Sequence, residues 1–412
     1  MEVINAVCAG LDVHKASVTA CLVWRDAQGQ RSQMVRTFGT MTNDLLALLE
    51  WVLQVNCRMV AMESTGTYWK PIYNLLATEC EVLLVNPTHY KNVPGRKTDT
   101  KDAVWLAELL EHGLLRGSFI PPEAIRDLRD LTRYRRRLIQ AQSAEKNRVQ
   151  KVLEDANIKL GVVASDVFGV SGRAILKALV TGAQTPAEMA ELAKGALRNK
   201  KDQLQEALTG RLRAHHKLLL AKMLAHIAFL DTAIAECDAA VEEVLRPFTE
   251  IVERVRTVTG VDQRATEDIL AEIGLDMEVF PSHKHLCSWA TICPGLKESG
   301  GKRQSGKTRK GNKWLKAILV QCAQVAARSK GTYLGSQFRR IVKRRGKNRA
   351  AIAVAHSILA AIYFIVRDGV TYTDLGEHYF DQVNTEQQIR YHRRRLEDLG
   401  LQVELTPTSM AA

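Results

Sequence analysis

Two aspartates three residues apart, Asp99 and Asp102 in GRKTDTKDAVWLAELLE (Gly95–Glu111), precede positions 103–110, AVWLAELL, which run apolar at helical period. That spacing sets both carboxylates on one face of a first helical turn whose other face is buried. Two chemistries are open to the pair. A D-x-x-D pattern can cap the helix, where aspartates meet the positive end of its dipole. The pair can also act with two further acids, Asp12 and Glu63, that end apolar strand-like stretches. Four carboxylates gathered at one point repel by roughly 4 kcal/mol for each pair at about 4 Å and an effective dielectric of about 20. Without counter-charge some of them hold protons. One or two Mg²⁺ (or Mn²⁺) ions prefer oxygen ligands, remove the conflict, and can polarise a phosphate while activating an attacking oxygen.

The elements that must position these acids follow from the hydrophobic pattern. Ala6–Asp12 (AVCAGLD) reads as a strand ending on Asp12, Ser17–Trp24 as a second and Arg31–Phe38 as a third, with DAQGQ marking a turn. Asp44–Val55 has helical period, Arg58–Met62 is a short strand ending at Glu63, Tyr68–Glu79 is helical, and Glu81–Val85 is a buried strand closed by Asn86 and Pro87. This order predicts a ribonuclease H-like fold, in which the first and fourth strands lie side by side and parallel. Asp12 then faces Glu63 at the carboxyl ends of strands, where open α/β sheets collect ligands. Taken singly, Asp12 is also readable as a turn residue and Glu63 as a surface charge; their joint placement favours the metal reading. The stretch ESTGTYWKP that Glu63 opens allows close backbone approach to a phosphate, with Tyr68, Trp69 and Lys70 for stacking and charge, or is an ordinary strand-to-helix turn with core aromatics. Lys91, Arg96, Lys97 and Lys101 surround the acid pair and can contact phosphates.

At 412 residues the chain has the length of two or three domains. Its net charge of +13, from 58 basic and 45 acidic side chains, favours a polyanionic partner, nucleic acid first and a membrane surface second. The start MEVINAVCAGLDV lacks the features of a signal peptide, so a cytoplasmic protein is expected. The apolar run 350–366 carries His356 and Ser357 and reads as a buried helix, so no membrane partner is expected. Eight cysteines without a C-x-x-C pair suit reduced, buried thiols. His283, His285, Cys287 and Cys293 have ligand-like composition, but i and i+2 residues diverge on a helix, which favours structural roles over zinc.

Four regions are expected: 1–125 with the acids, a helical spacer over 126–255, a further domain over 256–370, and a basic tail over 371–412. The Arg133–Arg137 run can hold a nucleic-acid backbone or form a solvated face. Leu197–Val258 reads as a nearly unbroken helical pattern bent at Pro247, and helices of that length usually form a hairpin or a coiled coil that makes an oligomer. Val255–Gly274 resembles a helix-hairpin-helix, although its turn, Gly260-Val261-Asp262, lacks the second glycine; plain helix packing competes. From Gly301 to Lys316 there are seven Lys or Arg, three glycines, one tryptophan and no acid. Lys302, Arg303, Lys307, Arg309, Lys310 and Lys313 can neutralise phosphates that glycines allow close to the backbone. Ser299 and Ser305 in this region are possible phosphoryl nucleophiles or turn residues. Arg390–Arg395 in the tail can grip nucleic acid or cover a solvated terminal helix.

The set GLDVHK, ESTGTYWKP, VNP followed by GRKTDTKDA, then TVTGVD, CPGLKESGGK and KGNKWLK resembles the DEDD transposases of bacterial insertion sequences, RNA-guided recombinases that use a bridge RNA. The likeness runs from Gly10 to about Val366. It implies a resolvase-like α/β first domain, a coiled-coil middle and a mainly α transposase domain. It further implies that Asp12, Glu63, Asp99 and Asp102 are a metal-binding tetrad, that Ser299 is the nucleophile with Ser305 a lesser candidate, and that active sites are assembled between protomers of a dimer or tetramer. Double-stranded DNA at element ends and target, a structured guide RNA and a nucleoid-associated location follow from the same likeness. A metal-dependent Holliday-junction resolvase or nuclease using water is the nearest alternative, and a non-catalytic nucleic-acid-binding regulator is another.

Overall fold

The structure is a computed structural model that describes residues 2–26, 28–63, 66–86, 99–295, 297–299, 302–305, 308, 311–383 and 385–404; for 99–101, 297–299, 302–305 and 386–388 it describes the backbone. The chain forms two compact units, Met1–Ile120 and Pro121–Ala412.

In the first unit, strands β1 (Cys8–Val13), β2 (Ser17–Arg25), β3 (Arg31–Gly39), β4 (Met59–Glu63) and β5 (Glu81–Val85) form one sheet in the order β3-β2-β1-β4-β5. β2 is antiparallel to both β1 and β3, whereas β1, β4 and β5 run parallel, which is compatible with a ribonuclease H-like sheet. Its central position explains why β1 is apolar on both faces. Ala9, Leu11 and Val13 pack into one core with helices α1 (Thr42–Leu53) and α2 (Trp69–Leu76), and Cys8 into a second core with α3 (Asp99–Glu111). Alternation along β1 therefore places Asp12 on the α3 face with Cys8 and Gly10. The same alternation on β4 places Val60 and Met62 in the first core, Ala61 in the second, and Glu63 on the α3 face.

Gly10 sets how closely α3 lies on the sheet. A Cβ there would stand 2.3 Å from the Ala103 carbonyl oxygen and 2.4 Å from the Ala107 nitrogen, both backbone atoms of α3. Gly10→Ala is expected to push the helix away and to cost about 3 kcal/mol of stability, read as a lower urea midpoint at unchanged slope.

The second unit is built on two long helices, Glu123–Asp155 and Ala214–Leu245. They are antiparallel, since Arg135 meets Asp238, Gln142 meets Asp231 and Asp155 meets His216. Between them Leu160–Leu208 folds as shorter helices around Ile175, Leu176, Leu204 and Leu208. The helical pattern that starts near Leu197 is broken at Thr209–Arg213 as well as near Pro247, because Gly210 lies against the backbone of Ala156 and Asn157. At the other end of the hairpin, Arg135 is 1% exposed and bonds Glu267 at 2.5 Å, Asp268 at 2.8 Å and Asp238 at 3.0 Å. Arg133 bonds both oxygens of Glu272, and Arg137 lies over Trp314. Arg133 and Arg135 are thus committed to tying the hairpin to helix Gln263–Ile273, while Arg137 stays exposed against Trp314 of helix Lys313–Arg328.

Helix packing also accounts for the Gly260 turn. A Cβ on Gly260 would meet the Cys322 carbonyl at 2.6 Å, so the turn is pressed on helix Lys313–Arg328. Helix Lys347–Asp368 is long and apolar enough to cross a bilayer, but Val354, Ile358, Leu359 and Ile362 are buried within the unit. The eight cysteines are free, and burial pushes the thiols of Cys8, Cys57, Cys287 and Cys322 up to about 12.

Candidate active site

Asp12 and Glu63 come together through register. The parallel β1–β4 pairing runs through Leu11↔Met62, and one step further the partners are Asp12 and Glu63, on the same face of the sheet. α3 runs antiparallel to β1 across that face: Asn5 bonds the Leu110 carbonyl, Cys8 the Ala107 carbonyl, and Gly10 lies against Ala103. The first turn of α3, which holds Asp102, is thereby brought to the end of β1 where Asp12 stands. Asp99 is the first residue of α3, and only its backbone is described.

Electrostatics at Asp12 register this convergence. Burial pushes the Asp12 carboxyl above its ordinary value; His14 opposes the shift, and the charges of Asp102 and Glu63 add to it. Its hydrogen-bond partner is the imidazole of His14, whose Nε2 donates to Asp12 Oδ2 at 3.0 Å. Glu111, at the opposite end of α3, is the contrasting case. Burial raises its pKa too, but hydrogen bonds from Arg31 and Arg25 outweigh that and hold the carboxyl below its usual range. Glu111 is thus neutralised by protein cations, whereas Asp12 meets further acids.

An all-oxygen donor set of Asp12, Glu63 and Asp102 suits a hard divalent cation such as Mg²⁺. Their carboxylate oxygens do not all lie within 4.8 Å of one another. Among the described residues, the side chains whose ligand atoms all lie within 4.8 Å of one another are instead Asp155, His215 and His216. That trio does not fit a metal. His216 Nδ1 accepts from the Arg213 backbone N–H, its Nε2 donates to Asp155 at 2.7 Å, and the Arg213 guanidinium is 3.6 Å from the same carboxylate oxygen. Both ring nitrogens of His216 are thus used, Nδ1 at the start of its own helix and Nε2 in joining the ends of the two long helices. His283, His285, Cys287 and Cys293 form no ligand cluster among the described residues, and Cys287 is buried with its thiol toward the His356 carbonyl.

The remaining candidates divide by location. Tyr68 is 44% exposed, whereas Trp69 packs on the sheet core edge-on to Tyr73, so the core reading holds for Trp69. Lys91, Arg96, Lys97, Lys307, Arg309 and Lys310 lie outside the described residues, and Lys101, Lys302 and Arg303 are described by backbone alone. Lys313 is exposed beside Trp314, while Asn312 caps the helix that follows by accepting from the Trp314 and Leu315 N–H groups. Ser299 and Ser305 belong to a two-stranded hairpin, β6 (Lys297–Ser299) and β7 (Lys302–Ser305). Ser299 pairs with Lys302 near its tip and Ser305 with Lys297 near its base. His14 is the contact that sequence reasoning missed; the D-x-H spacing, which sets alternate residues on one strand face, was the available signal.

Two family models match the chain in order. Residues 9–158 match the transposase model DEDD_Tnp_IS110, and residues 252–339 match the model for transposases of the IS116/IS110/IS902 family. The chain belongs to the IS110 family of DEDD transposases. The first match contains all four predicted acids, and the second contains the serine hairpin. Relatives of this transposase include the transposase for insertion sequence element IS1111A of Coxiella burnetii (strain RSA 493 / Nine Mile phase I), 23% identical over 329 residues, covering 78% of this chain and 80% of that protein. The insertion element IS900 uncharacterized 42 kDa protein of Mycobacterium paratuberculosis is 26% identical over 408 residues, covering 89% and 97%.

In this transposase the raised pKa of Asp12 makes ionising that carboxyl costlier in the folded state than in the unfolded chain. A carboxyl whose folded pKa is raised contributes stability fully below its unfolded value, and that contribution is lost as pH rises through the folded value. Asp12→Asn is therefore expected to raise the Tm of chelator-treated protein by a few degrees at neutral pH. In scanning calorimetry the difference from the natural protein should close below about pH 4, near the unperturbed Asp value.

Proposed function

We propose that this transposase excises and inserts an insertion sequence by phosphoryl transfer, with Asp12, Glu63, Asp99 and Asp102 holding Mg²⁺ or Mn²⁺ and Ser299 acting as nucleophile. The observation that carries this reading is the arrival of Asp12, Glu63 and Asp102 from three separate elements at one end of the sheet. A divalent ion held there supplies neutralising charge and polarises a phosphate. The seryl oxygen of Ser299 forms a bond to phosphorus as a deoxyribose oxygen leaves and takes up a proton, and the phosphoserine ester preserves bond energy for rejoining. Its place near the hairpin tip, paired with Lys302, favours Ser299 over Ser305.

In this reading 1–125 is the acidic catalytic domain, 126–255 a coiled-coil oligomerisation region, 256–370 the serine-bearing domain and 371–412 a basic tail. The helix Ala214–Leu245 supports self-assembly, since Leu218 is 60% and Phe229 65% exposed. Double-stranded DNA and a structured guide RNA are the partners that the family likeness and the charge of +13 support, with the cytoplasmic nucleoid as the setting. The test is to incubate DNA carrying the element's ends with protein, Mg²⁺ and the RNA that copurifies from its host. Joined product is expected. Nicked or cleaved DNA without joining would assign the protein to the nucleases instead.

A further inference from the structure

Between Glu298 and Asp368 the sequence contains no acid, although it carries Arg328, Lys330, Lys343, Arg344, Arg345, Lys347 and Arg349 beyond the hairpin cations. Helices Lys313–Arg328, Tyr333–Arg345 and Lys347–Asp368 enclose a groove of about 720 Å³ within this stretch. Val320, Ala327, Phe338 and Ile352 line it with apolar surface, and Lys316, Arg328 and Lys347 line it with positive charge. Gln324 and Asn348 add amide donors and acceptors. Among the described residues no carboxylate pairs with any of these three cations. Lys316 Nζ donates to Thr308 Oγ1 at 2.6 Å, and Thr308 bridges to Pro294 at the base of the β6–β7 hairpin. One lining residue of the groove, Lys316, is thereby bonded to the segment that follows β7.

We propose that this groove binds a single-stranded segment of DNA. Cations at its edge match backbone phosphates, but they alone would serve a duplex equally well. The apolar lining decides between the two. Bases stacked inside a duplex cannot fill it, whereas an unpaired base can lie against Phe338 with its edge toward Gln324 or Asn348. The volume lies within the roughly 300–1,000 Å³ of ordinary ligand pockets and so accommodates bases as well as backbone. The inference rests on the reading of the chain as an enzyme that handles cleaved DNA, where strand exchange takes ends out of the duplex.

The test is fluorescence anisotropy on the full chain with a labelled DNA strand of about 12 nucleotides, its duplex form and the same sequence as RNA. Arg328→Glu with Lys347→Glu changes two exposed side chains and is expected to weaken single-strand binding at least about tenfold, with the salt slope smaller by about 1.4. Phe338→Ala is expected to weaken it about fivefold or more. Duplex binding should change less than about threefold, because the hairpin cations remain. Equal losses on duplex and single strand, no loss on either, or a loss confined to RNA would each overturn the proposal. Ser299→Ala separates this from the catalytic reading. If that variant still forms a covalent DNA complex, the serine mechanism falls while groove-dependent binding stands.

Discussion

Asp12→Ala and Asp102→Ala are each expected to lower strand cleavage by about 10³-fold or more while DNA binding stays within about threefold of the natural protein. The acids do not meet through local sequence: Asp12 is the penultimate residue of a strand, and Asp102 sits in the first turn of a helix laid across that strand. Each variant removes an oxygen donor and also relieves repulsion that raises the Asp12 pKa, so stability should not fall in parallel with activity. Gel-based cleavage of an element-end substrate, set beside Mg²⁺ binding by calorimetry, measures both sides. Loss of Mg²⁺ binding together with cleavage is the expected pattern. A protein that keeps its biological effect with both alanines in place would be a nucleic-acid-binding regulator. Glu111→Ala is the useful control, because that carboxylate is neutralised by Arg25 and Arg31 and should affect folding with no specific effect on metal binding.

Ser299→Ala is expected to abolish the covalent protein–DNA complex that survives denaturant, a loss of about 10³-fold or more. Ser305→Ala should leave that complex in place, since Ser305 lies near the hairpin base, across from Lys297. Labelled DNA, Mg²⁺ and denaturing electrophoresis provide the readout. Cleavage by Ser299→Ala at the natural rate would mean that water attacks and that the acids alone perform a nuclease reaction. A covalent band lost in Ser305→Ala and retained in Ser299→Ala would reassign the nucleophile within the same hairpin.

The strands and helices of the first unit were readable because their signals are local. Short apolar runs over AVCAGLD and SVTACLVW, and helical period over 103–110, belong to residues adjacent in the chain. The structure keeps Glu81–Val85 as read and shifts the other ends by at most three residues, as expected where hydrogen bonding and packing compete at termini. The helical pattern of 197–258 was less informative. Its break at 209–213 comes from a close backbone approach at Gly210, and no window of sequence around that glycine contains Ala156.

Arg133–Arg137 shows the same limit from the side of charge. A run of arginines has one appearance in sequence whether it faces solvent, nucleic acid or protein. Here Glu267, Asp268 and Glu272, more than a hundred residues away, make Arg135 and Arg133 parts of a buried network. Residue types and spacing determined by themselves that Asp12 and Glu63 lie at the carboxyl ends of strands, that Asp102 lies in the first turn of a helix, and that the chain as a whole suits a polyanion. Tertiary structure alone decided that β1 and β4 pair one step short of the two acids, that Gly10 lets α3 close over them, and that His14 and not an arginine answers Asp12. Those outcomes depend on through-space distances, which backbone pairing and packing set and which neighbouring residues in a sequence do not encode.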